Sequence, residues 1–461
     1  MVIFLAGCAV GPDYEKPALR SPAAWRGAEA EKTPSQSADL ARWWTLFQDA
    51  RLDSLIERAV RSNLDLRAAA SRIREARAQF GVTASGLMPA IDAVGSTTRS
   101  RTSQSSFFGT GAFPRYRSDT SAGFDASWEI DIFGAGRRSY EAAVADIESS
   151  VEDRRAVLVS LLGEVAREYV SVRGLQRQLA VLRENDRSAQ GTLDLTKARL
   201  AAGVATSLDV TRAEAQRASS ASLIPAIEAS LQQSVHRLGV LLGEEPNALR
   251  VELATEGPIP AAPPRILVGL PSDLLARRPD LRRAERQLAA ATARIGLATA
   301  ELYPRISLTG AFGLDSIGSA DFLKWGSRTW SLGPTLRWPV FAGGRIRANI
   351  EVEDARAEQA AIAYERAFLG ALEEVENGLV AYLREGDRRR SLEEEVAADR
   401  RSVNLAEDLY RKGLASFLEV LDAQRALYAA QSSLAQSEAV VTLNLVALYK
   451  ALGGGWEDMI K

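Results

Sequence analysis

The sequence predicts a protein that combines long α-helices with a small β-sheet and contains this arrangement twice. Three observations predict it. Two runs of about 65 residues contain no proline and are rich in strong helix formers. Four short segments alternate apolar and polar residues with a period of two, as strands do. Finally, sequence patterns of the first half return in the second half.

The repeat is clearest where RLAAGVATSLDVTRAEAQ (Arg199–Gln216) resembles YRKGLASFLEVLDAQRAL (Tyr410–Leu427). Gly203 of the first segment corresponds to Gly413 of the second, 210 positions later. A further match, at a spacing of 215, relates the helices that precede the predicted strands. A period of this length is too long for a solenoid repeat and indicates an internal tandem duplication.

The duplication predicts how the chain is divided. Residues 1–7 are expected to be a truncated lipoprotein signal, residues 8–48 a lipid-anchored tether, and residues 247–271 an irregular connector, because its prolines break helices. Each of the two repeats is expected to contain a helix, a β-hairpin and a long helical hairpin. The first repeat is 49–246, with these hairpins at about 90–133 and 136–243; the second is 272–461, with them at about 305–341 and 343–452.

The N-terminus carries a candidate lipidation site. Residues 5–8, LAGC, resemble a bacterial lipobox, in which the cysteine becomes the lipidated first residue. Cys8 is the single cysteine and precedes a proline-rich tether, so we expect it to carry a covalent lipid; no other cofactor is expected. Ala9 follows it, and not the Asp that favours inner-membrane retention. The alternative is an ordinary small-residue N-terminus with a chance cysteine.

The strand signal is strongest in AGFDASWEIDI (Ala122–Ile132) and in Trp330–Val340, where apolar and polar residues alternate strictly. Ile306–Leu314 alternates in the same way, and a weaker segment surrounds Ile91. Strands of about ten residues with one apolar face are typical of a transmembrane β-barrel. The half-buried strands of a soluble sandwich show the same pattern, and that alternative stays open.

The number of strands limits the membrane interpretation. Four strands cannot close a barrel, and an open sheet edge cannot lie in lipid. If the sheet lies in a membrane, several chains must each contribute strands to it. Trp128, Trp330 and Trp338 suit the aromatic girdle at the edges of such a barrel.

The helical runs extend from about 137 to 202 and from about 345 to 412, which at 1.5 Å per residue is on the order of 100 Å each. Return helices at about 207–242 and 416–452 complete two antiparallel hairpins. Pro225 lies inside the first return helix and is expected to kink or break it.

Composition excludes several classes of function. The 57 basic and 59 acidic residues are balanced, which argues against a nucleic-acid partner. A single histidine, His236, and a single cysteine exclude structural disulfides and Cys/His zinc sites within one chain. No nucleophile–base pair stands out, so an enzyme is not expected.

Several motifs resemble one family. LAGC, FGAGRR, FAGGR, EVAREYV, EEVENGL, LDAQRAL and YKALGGGW look like the TolC family and, within it, the lipidated OprM-like or NodT-type outer-membrane channels. The resemblance implies a homotrimer with a 12-stranded β-barrel in the outer membrane, four strands per chain, continued by a long α-helical barrel across the periplasm. It implies a passive duct that exports drugs or other toxic small molecules. The implied partners are a periplasmic adaptor protein, an inner-membrane resistance-nodulation-division pump and outer-membrane lipid.

The glycine turns are the first candidate sites. Glycine ends a helix in the left-handed conformation, and Thr206 and Ser416 are suitable N-caps for the next helix. Turn chemistry alone accounts for this pattern, whereas the resemblance adds contact with the adaptor at the periplasmic tips. The adaptor-contact tips are Ala202, Gly203, Val204, Lys412, Gly413 and Leu414.

The second candidate site follows the second turn. Leu418, Asp422 and Arg425 lie on one helix face, at positions i, i+4 and i+7. In OprM-like channels this pattern lines the closed periplasmic gate. The first repeat lacks it, because Arg212 and Ala215 occupy the positions of Asp422 and Arg425. The alternative is an ordinary surface pair of Asp and Arg, worth a few tenths of a kcal/mol.

Two other functions compete with efflux. One is a type I protein-secretion channel of the same family, and the other is a lipid-anchored periplasmic coiled-coil protein with a structural role. The lipobox and the gate pattern favour efflux over secretion. The four alternating strands and their tryptophans argue against the coiled-coil protein.

Overall fold

The computed structural model describes residues 9–26, 40–103, 116–261 and 271–459, which are mostly helical with one small antiparallel sheet. These residues separate into two compact units. The sheet unit comprises the described parts of residues 1–18, 72–151 and 283–365; the tip unit comprises those of residues 19–71, 152–282 and 366–461. Cys8 lies outside the described residues.

Within the described ranges the chain forms eight α-helices, preceded by a 3-10 helix at Leu40–Phe47. They are α1 (Ala50–Ser62), α2 (Leu64–Ser85), α3 (Ala135–Ala201), α4 (Ser207–Leu241), α5 (Leu274–Arg277), α6 (Pro279–Ala300), α7 (Arg345–Arg411) and α8 (Phe417–Ala451). Corresponding helices of the two halves are equally long: 22 residues in α2 and α6, 67 in α3 and α7, and 35 in α4 and α8. No helix in these ranges contains an 18-residue stretch apolar enough to span a bilayer.

The four strands form one antiparallel sheet in the order β1 (Ala90–Arg101), β2 (Tyr116–Ile130), β3 (Arg305–Ile317) and β4 (Arg328–Arg337). The two predicted hairpins are therefore joined through β2 and β3, which come from different halves of the sequence. Gly123 lies opposite Gly313 at this junction. A Cβ atom at either position would lie 2.6 Å from a carbonyl oxygen of the other strand, so only glycine fits.

Two strands, β2 and β4, end earlier than their sequence pattern predicts. β2 ends at Ile130, because the carboxylate of Asp131 accepts hydrogen bonds from the N–H groups of Gly136 (3.1 Å) and Arg137 (2.9 Å) at the start of α3. β4 ends at Arg337, shortly before Pro339, which has no N–H to donate to the ladder.

The sequence predicts a kink or a break at Pro225, and the helix does not break, because α4 is continuous from Ser207 to Leu241. Proline removes one helical hydrogen bond. Pro225 is exposed, so water can satisfy the carbonyl group that loses its partner.

Two tryptophans hold the passages from helix to strand. The indole Nε1–H of Trp128 donates to the carbonyl oxygen of Leu87, and that of Trp338 donates to Leu302, both at 3.0 Å. Leu87 follows α2 and Leu302 follows α6, so the same contact occurs in both halves. These two side chains therefore fix the local backbone, a role that the sequence pattern did not indicate.

In the sheet unit, the segment after Cys8 is held by one buried guanidinium group. Arg138 is 4% exposed and donates to the carbonyl oxygens of Val10 (3.1 Å) and Gly11 (3.2 Å) and to Asp13 (2.8 Å). Gly11 lies against Gly296 of α6, where an added Cβ would be 2.3 Å from the glycine backbone. This close approach keeps the N-terminal segment on the helices.

In the tip unit, the C-terminal GGGW motif is a packing element. Trp456 lies near the guanidinium groups of Arg155 (4.5 Å) and Arg282 (5.4 Å), and its Nε1–H donates to the carbonyl oxygen of Arg277 (2.9 Å). Glu152 links the same two arginines at 2.6 and 2.8 Å. The cation–π contacts thus join α3 and α6 to the C-terminal segment, and the hydrogen bond joins α5 to it. The ion pair of Glu152 with Arg282 links α3 to α6.

Replacing Trp456 with Ala should lower the free energy of unfolding by about 2–3 kcal/mol, because it removes ring packing, two cation–π contacts and a hydrogen bond. Thermal unfolding followed by circular dichroism measures the effect. Trp325→Ala is the matched control, since Trp325 is 77% exposed and should change the midpoint little. Equal shifts in the two variants would contradict this role for Trp456.

Candidate functional site

The two glycine turns have the same backbone geometry. Gly203 and Gly413 both have φ of 76°, the left-handed conformation that glycine adopts without strain. In the first turn, the N–H of Val204 donates to the carbonyl oxygen of Arg199 at 2.9 Å. The N–H of Leu414 makes the equivalent bond in the second turn, also at 2.9 Å. The predicted helix-ending role of both glycines is confirmed.

Each turn leads directly into a capped helix. The hydroxyl of Thr206 accepts from the N–H of Asp209 (3.2 Å), and the carboxylate of Asp209 accepts from the N–H of Thr206 (3.0 Å). In the second turn, the carboxylate of Glu419 accepts from the N–H of Ser416 at 3.0 Å. Reciprocal bonds of this kind satisfy the free N–H groups of a helix start.

The six predicted tip residues are all exposed: Ala202, Gly203, Val204, Lys412, Gly413 and Leu414. Val204 is 60% exposed and Leu414 is 73% exposed, so each turn presents one apolar side chain to its surroundings. A Cβ atom at Gly203 or Gly413 would meet nothing within 4 Å. The space around both turns is therefore accessible to a partner protein. Glycine is required at these two positions by the left-handed backbone conformation, and not by close contact with other residues.

An aromatic cluster supports the second turn. Tyr410 packs against Phe417 with ring centroids 5.7 Å apart, and the guanidinium of Arg199 lies 4.4 Å from the Tyr410 ring. Leu193 and Val420 belong to the same buried cluster. Burial raises the pKa of the Tyr410 hydroxyl, despite the opposing charge of Arg199. The end of α7 and the start of α8 are thus fixed on α3.

Leu418, Asp422 and Arg425 lie on the exposed face of α8, as their spacing predicts. Leu418 is 43% exposed. Arg425 is 4.0 Å from the carboxylate of Asp422, and its Nε–H donates to the side chain of Gln216 on α4 at 2.8 Å. The structure therefore brings the two charged side chains together and ties Arg425 to the neighbouring helix.

The opposite face of α8 is buried and contains one polar side chain in its first three turns. Phe417, Val420, Leu421 and Leu427 are buried, and Gln424 lies among them with 1% exposure. Its amide nitrogen donates to Thr192 of α3 (2.8 Å) and to Glu407 of α7 (3.1 Å). The sequence does contain a signal for this residue, because Gln424 continues an apolar run at helical spacing.

The sheet presents a clearly apolar face. Phe124, Phe312 and Trp330 lie directly opposite one another on β2, β3 and β4, and are 58%, 61% and 75% exposed. The other face is polar, and there Asp92 lies opposite Asp125. Strands β1 and β4 each have a partner on one side within the chain. Among the described residues, the sheet thus leaves an apolar surface and two strand edges without partners.

Metal-ligating side chains do not cluster in the described part of the chain. The described residues contain no group of three or more His, Cys, Asp or Glu side chains that could hold a metal ion. His236 is half-buried, and its Nε2 atom hydrogen-bonds the side-chain oxygen of Asn247 at 2.9 Å.

Comparison with known proteins decides the family. A family described as outer membrane efflux protein matches residues 55–244 and 270–454. The chain belongs to this family. The predicted family and outer-membrane location are therefore confirmed, and the chain functions in efflux across the outer membrane.

Individual members of the family are similar along their whole length. Nodulation protein T of Rhizobium leguminosarum bv. trifolii is 34% identical, and the match covers 100% of this chain and 97% of that protein. The pyoverdine export outer membrane protein OpmQ of Pseudomonas aeruginosa is 34% identical, with 99% of this chain and 96% of that protein covered. The solved outer-membrane channel OprN has a TM-score of 0.90 at 34% identity, covering 97% of this chain and 100% of that one.

Proposed function

We propose that three copies of this efflux protein form a passive duct, with a 12-stranded β-barrel in the outer membrane and an α-helical barrel in the periplasm. The observation that carries the proposal is the sheet: it has four strands, an exposed apolar face and two edges without partners among the residues that the structure describes. Lipid offers no hydrogen bonds to an open edge, so β1 of one copy pairs with β4 of the next. Three copies supply the twelve strands.

The internal repeat supports the same arrangement. Equal helix lengths in the two halves fit a tandem duplication, and six similar helical hairpins from three chains make a regular tube wall. Such a wall has no catalytic task, and the protein is not an enzyme. The partner proteins, and not the wall of the duct, determine which compounds pass through it.

The proposed partners are a periplasmic adaptor protein and an inner-membrane resistance-nodulation-division pump. The adaptor contacts the two exposed glycine turns, whose apolar side chains Val204 and Leu414 are accessible. The exported compounds are drugs or other toxic small molecules. The relative OpmQ is a pyoverdine export protein by name, which supports a small-molecule cargo.

Leu418, Asp422 and Arg425 form the proposed periplasmic gate. Their exposed face on α8 contrasts with the buried face that carries Gln424, so it is available to line an axial opening. Three copies of Asp422 around one axis repel each other, and the neighbouring Arg425 offsets that charge.

Cys8 is the proposed lipidation site and carries the only cofactor, a covalent lipid. The buried bonds of Arg138 to Val10 and Gly11 fix the residues that follow it. One acyl chain anchors a protein weakly, and the barrel provides the second membrane element. A mature chain without lipid at its N-terminus would contradict this assignment alone.

Asp422→Ala should raise the leak conductance of the purified protein in planar bilayers by about tenfold, because it removes the ion pair and the carboxylate at the constriction. Glu228→Ala is the matched control, since Glu228 is an exposed acidic residue of α4 that pairs with Arg183. Equal conductance of the Asp422→Ala variant and the wild type would rule out this gate.

Gly413→Trp should abolish drug efflux in cells while the protein still assembles. A Cβ atom at this position meets nothing within 4 Å, so the turn can accept a side chain. The tryptophan ring then projects from the tip, where the adaptor docks. Gly318→Trp is the control, because Gly318 is also left-handed, with φ of 95° and open space, but follows β3. Drug susceptibility and heat-resistant oligomers on detergent gels are measured together. Normal resistance of the Gly413 variant would refute the tip contact.

A further inference from the structure

Three exposed arginines lie at the end of the sheet that is remote from the helices. β1 follows α2 and ends at Arg101, whereas β4 begins at Arg328 and leads into α7, so these two residues mark that outer end. Arg99 lies two positions before Arg101 on β1 and therefore on the same face of the sheet. All three side chains belong to exposed residues.

The arginines share a face with the apolar residues Phe124 and Trp330. Residues directly opposite each other, and residues two apart in a strand, have their side chains on one face. Arg101 is opposite Tyr116, eight positions before Phe124 on β2, and Arg328 is two positions before Trp330 on β4. At the helix end of this face, the last described strand residues are apolar: Ile91, Ile130, Ile306 and Leu336.

Aromatic rings, and not carboxylates, contact these guanidinium groups. Those of Arg99 and Arg101 lie 6.0 and 5.7 Å from the centre of the Tyr116 ring. The guanidinium of Arg328 lies over the ring of Trp325, and its Nε–H donates to the carbonyl oxygen of Trp325 at 2.8 Å. None of the three has a carboxylate partner among the residues that the structure describes. Their charges are therefore available to an anion from outside the chain.

Closing the proposed barrel brings arginines of different copies together. β1 and β4 are the two edge strands, so β2 and β3 separate Arg101 from Arg328 within one chain. In the proposed barrel β4 of one copy pairs with β1 of the next. Arg328 of one copy then lies at the same seam as Arg99 and Arg101 of the next copy.

The internal repeat relates this seam to a strand pair inside the chain. Trp128 and Trp338, 210 positions apart, make the same hydrogen bond to Leu87 and Leu302, which are 215 positions apart. β4 thus repeats β2 at a spacing of 210, and β3 repeats β1 at a spacing of 215. The pairing of β2 with β3 is therefore the template for the pairing of β4 with the next β1.

The template gives the register of the seam. Thr120 of β2 lies opposite Ser316 of β3. The same spacings place Trp330 of one copy opposite Arg101 of the next. Arg328 lies two positions farther out on the same face, within the diagonal reach of long side chains across neighbouring strands.

We propose that each seam binds the phosphate groups of lipid A, the phosphorylated glycolipid of the outer leaflet, through Arg99, Arg101 and Arg328. This inference rests on the proposed barrel, in which the helices lie in the periplasm and the arginine end therefore lies at the outer leaflet. Guanidinium groups bind phosphate oxygens through paired hydrogen bonds, and aromatic side chains favour the headgroup level. The apolar face next to the arginines packs against the acyl chains of the same lipid.

The test is native mass spectrometry of the full-length protein in detergent, titrated with diphosphoryl lipid A. We expect one tightly bound lipid A per seam. The triple variant Arg99→Gln/Arg101→Gln/Arg328→Gln removes the charges and keeps polar side chains. Each basic residue near an anionic lipid surface contributes a factor of about five, so binding should weaken on the order of a hundredfold. Lysine at the same three positions should retain most of the binding.

A control variant and two control lipids test the specificity of the site. Arg117→Gln should leave lipid A binding unchanged, because Arg117 lies at the same end on the polar face and pairs with Asp119. Monophosphoryl lipid A should bind the wild type more weakly, and phosphatidylethanolamine more weakly still. Equal losses in Arg117→Gln and the triple variant would overturn the proposal, as would equal binding of lipid A and phosphatidylethanolamine by the wild type.

The same spectra separate this inference from the proposed barrel. Wild-type trimers without a preference for lipid A refute the site and leave the barrel intact, whereas wild-type single chains refute the barrel and the site with it. If the triple variant does not form trimers, Arg101→Gln and Arg328→Gln are measured singly, and each should weaken binding about fivefold. Wild-type affinity in both single variants refutes the site.

Discussion

The structure depends on one constraint: a sheet of four strands cannot complete itself. In the described part of the chain β1 and β4 each have an unpaired edge. Phe124, Phe312 and Trp330 cover one face with exposed apolar side chains. In water, exposure of the apolar face is unfavourable, and in lipid the unpaired N–H and C=O groups of the strand edges are unfavourable. Both penalties disappear when identical chains pair edge to edge in a membrane. The family of outer membrane efflux proteins, to which the chain belongs, is consistent with that solution.

The two halves share the same glycine turn but differ in the side chains that pack beneath it. Gly203 and Gly413 make the same left-handed turn, and each is followed by a capped helix. The difference lies beneath the turns, where the second hairpin replaces an exposed ion pair with the buried amide of Gln424. A duplicated element can thus keep its backbone while a few side chains change how one copy packs.

Much of the fold could be predicted from the sequence, because it depends on interactions between residues that are close in the chain. Turn glycines, N-caps and strand alternation are decided by neighbouring residues, and the structure agrees with them. The pairing of β2 with β3 and the contact of Gln424 with Thr192, 232 residues apart, are not local and carry no short-range signal. The lipid on Cys8, the gate and the adaptor contacts remain predictions, because they involve membrane, symmetry or partners.

Native mass spectrometry of the full-length protein, released from outer membranes in mild detergent, tests the shared sheet most directly. The account predicts particles of three identical chains, with one lipid-modified N-terminus per chain and no stable single chains. A folded, water-soluble single chain would contradict it, because the free edges of β1 and β4 and the apolar face would then need no partner.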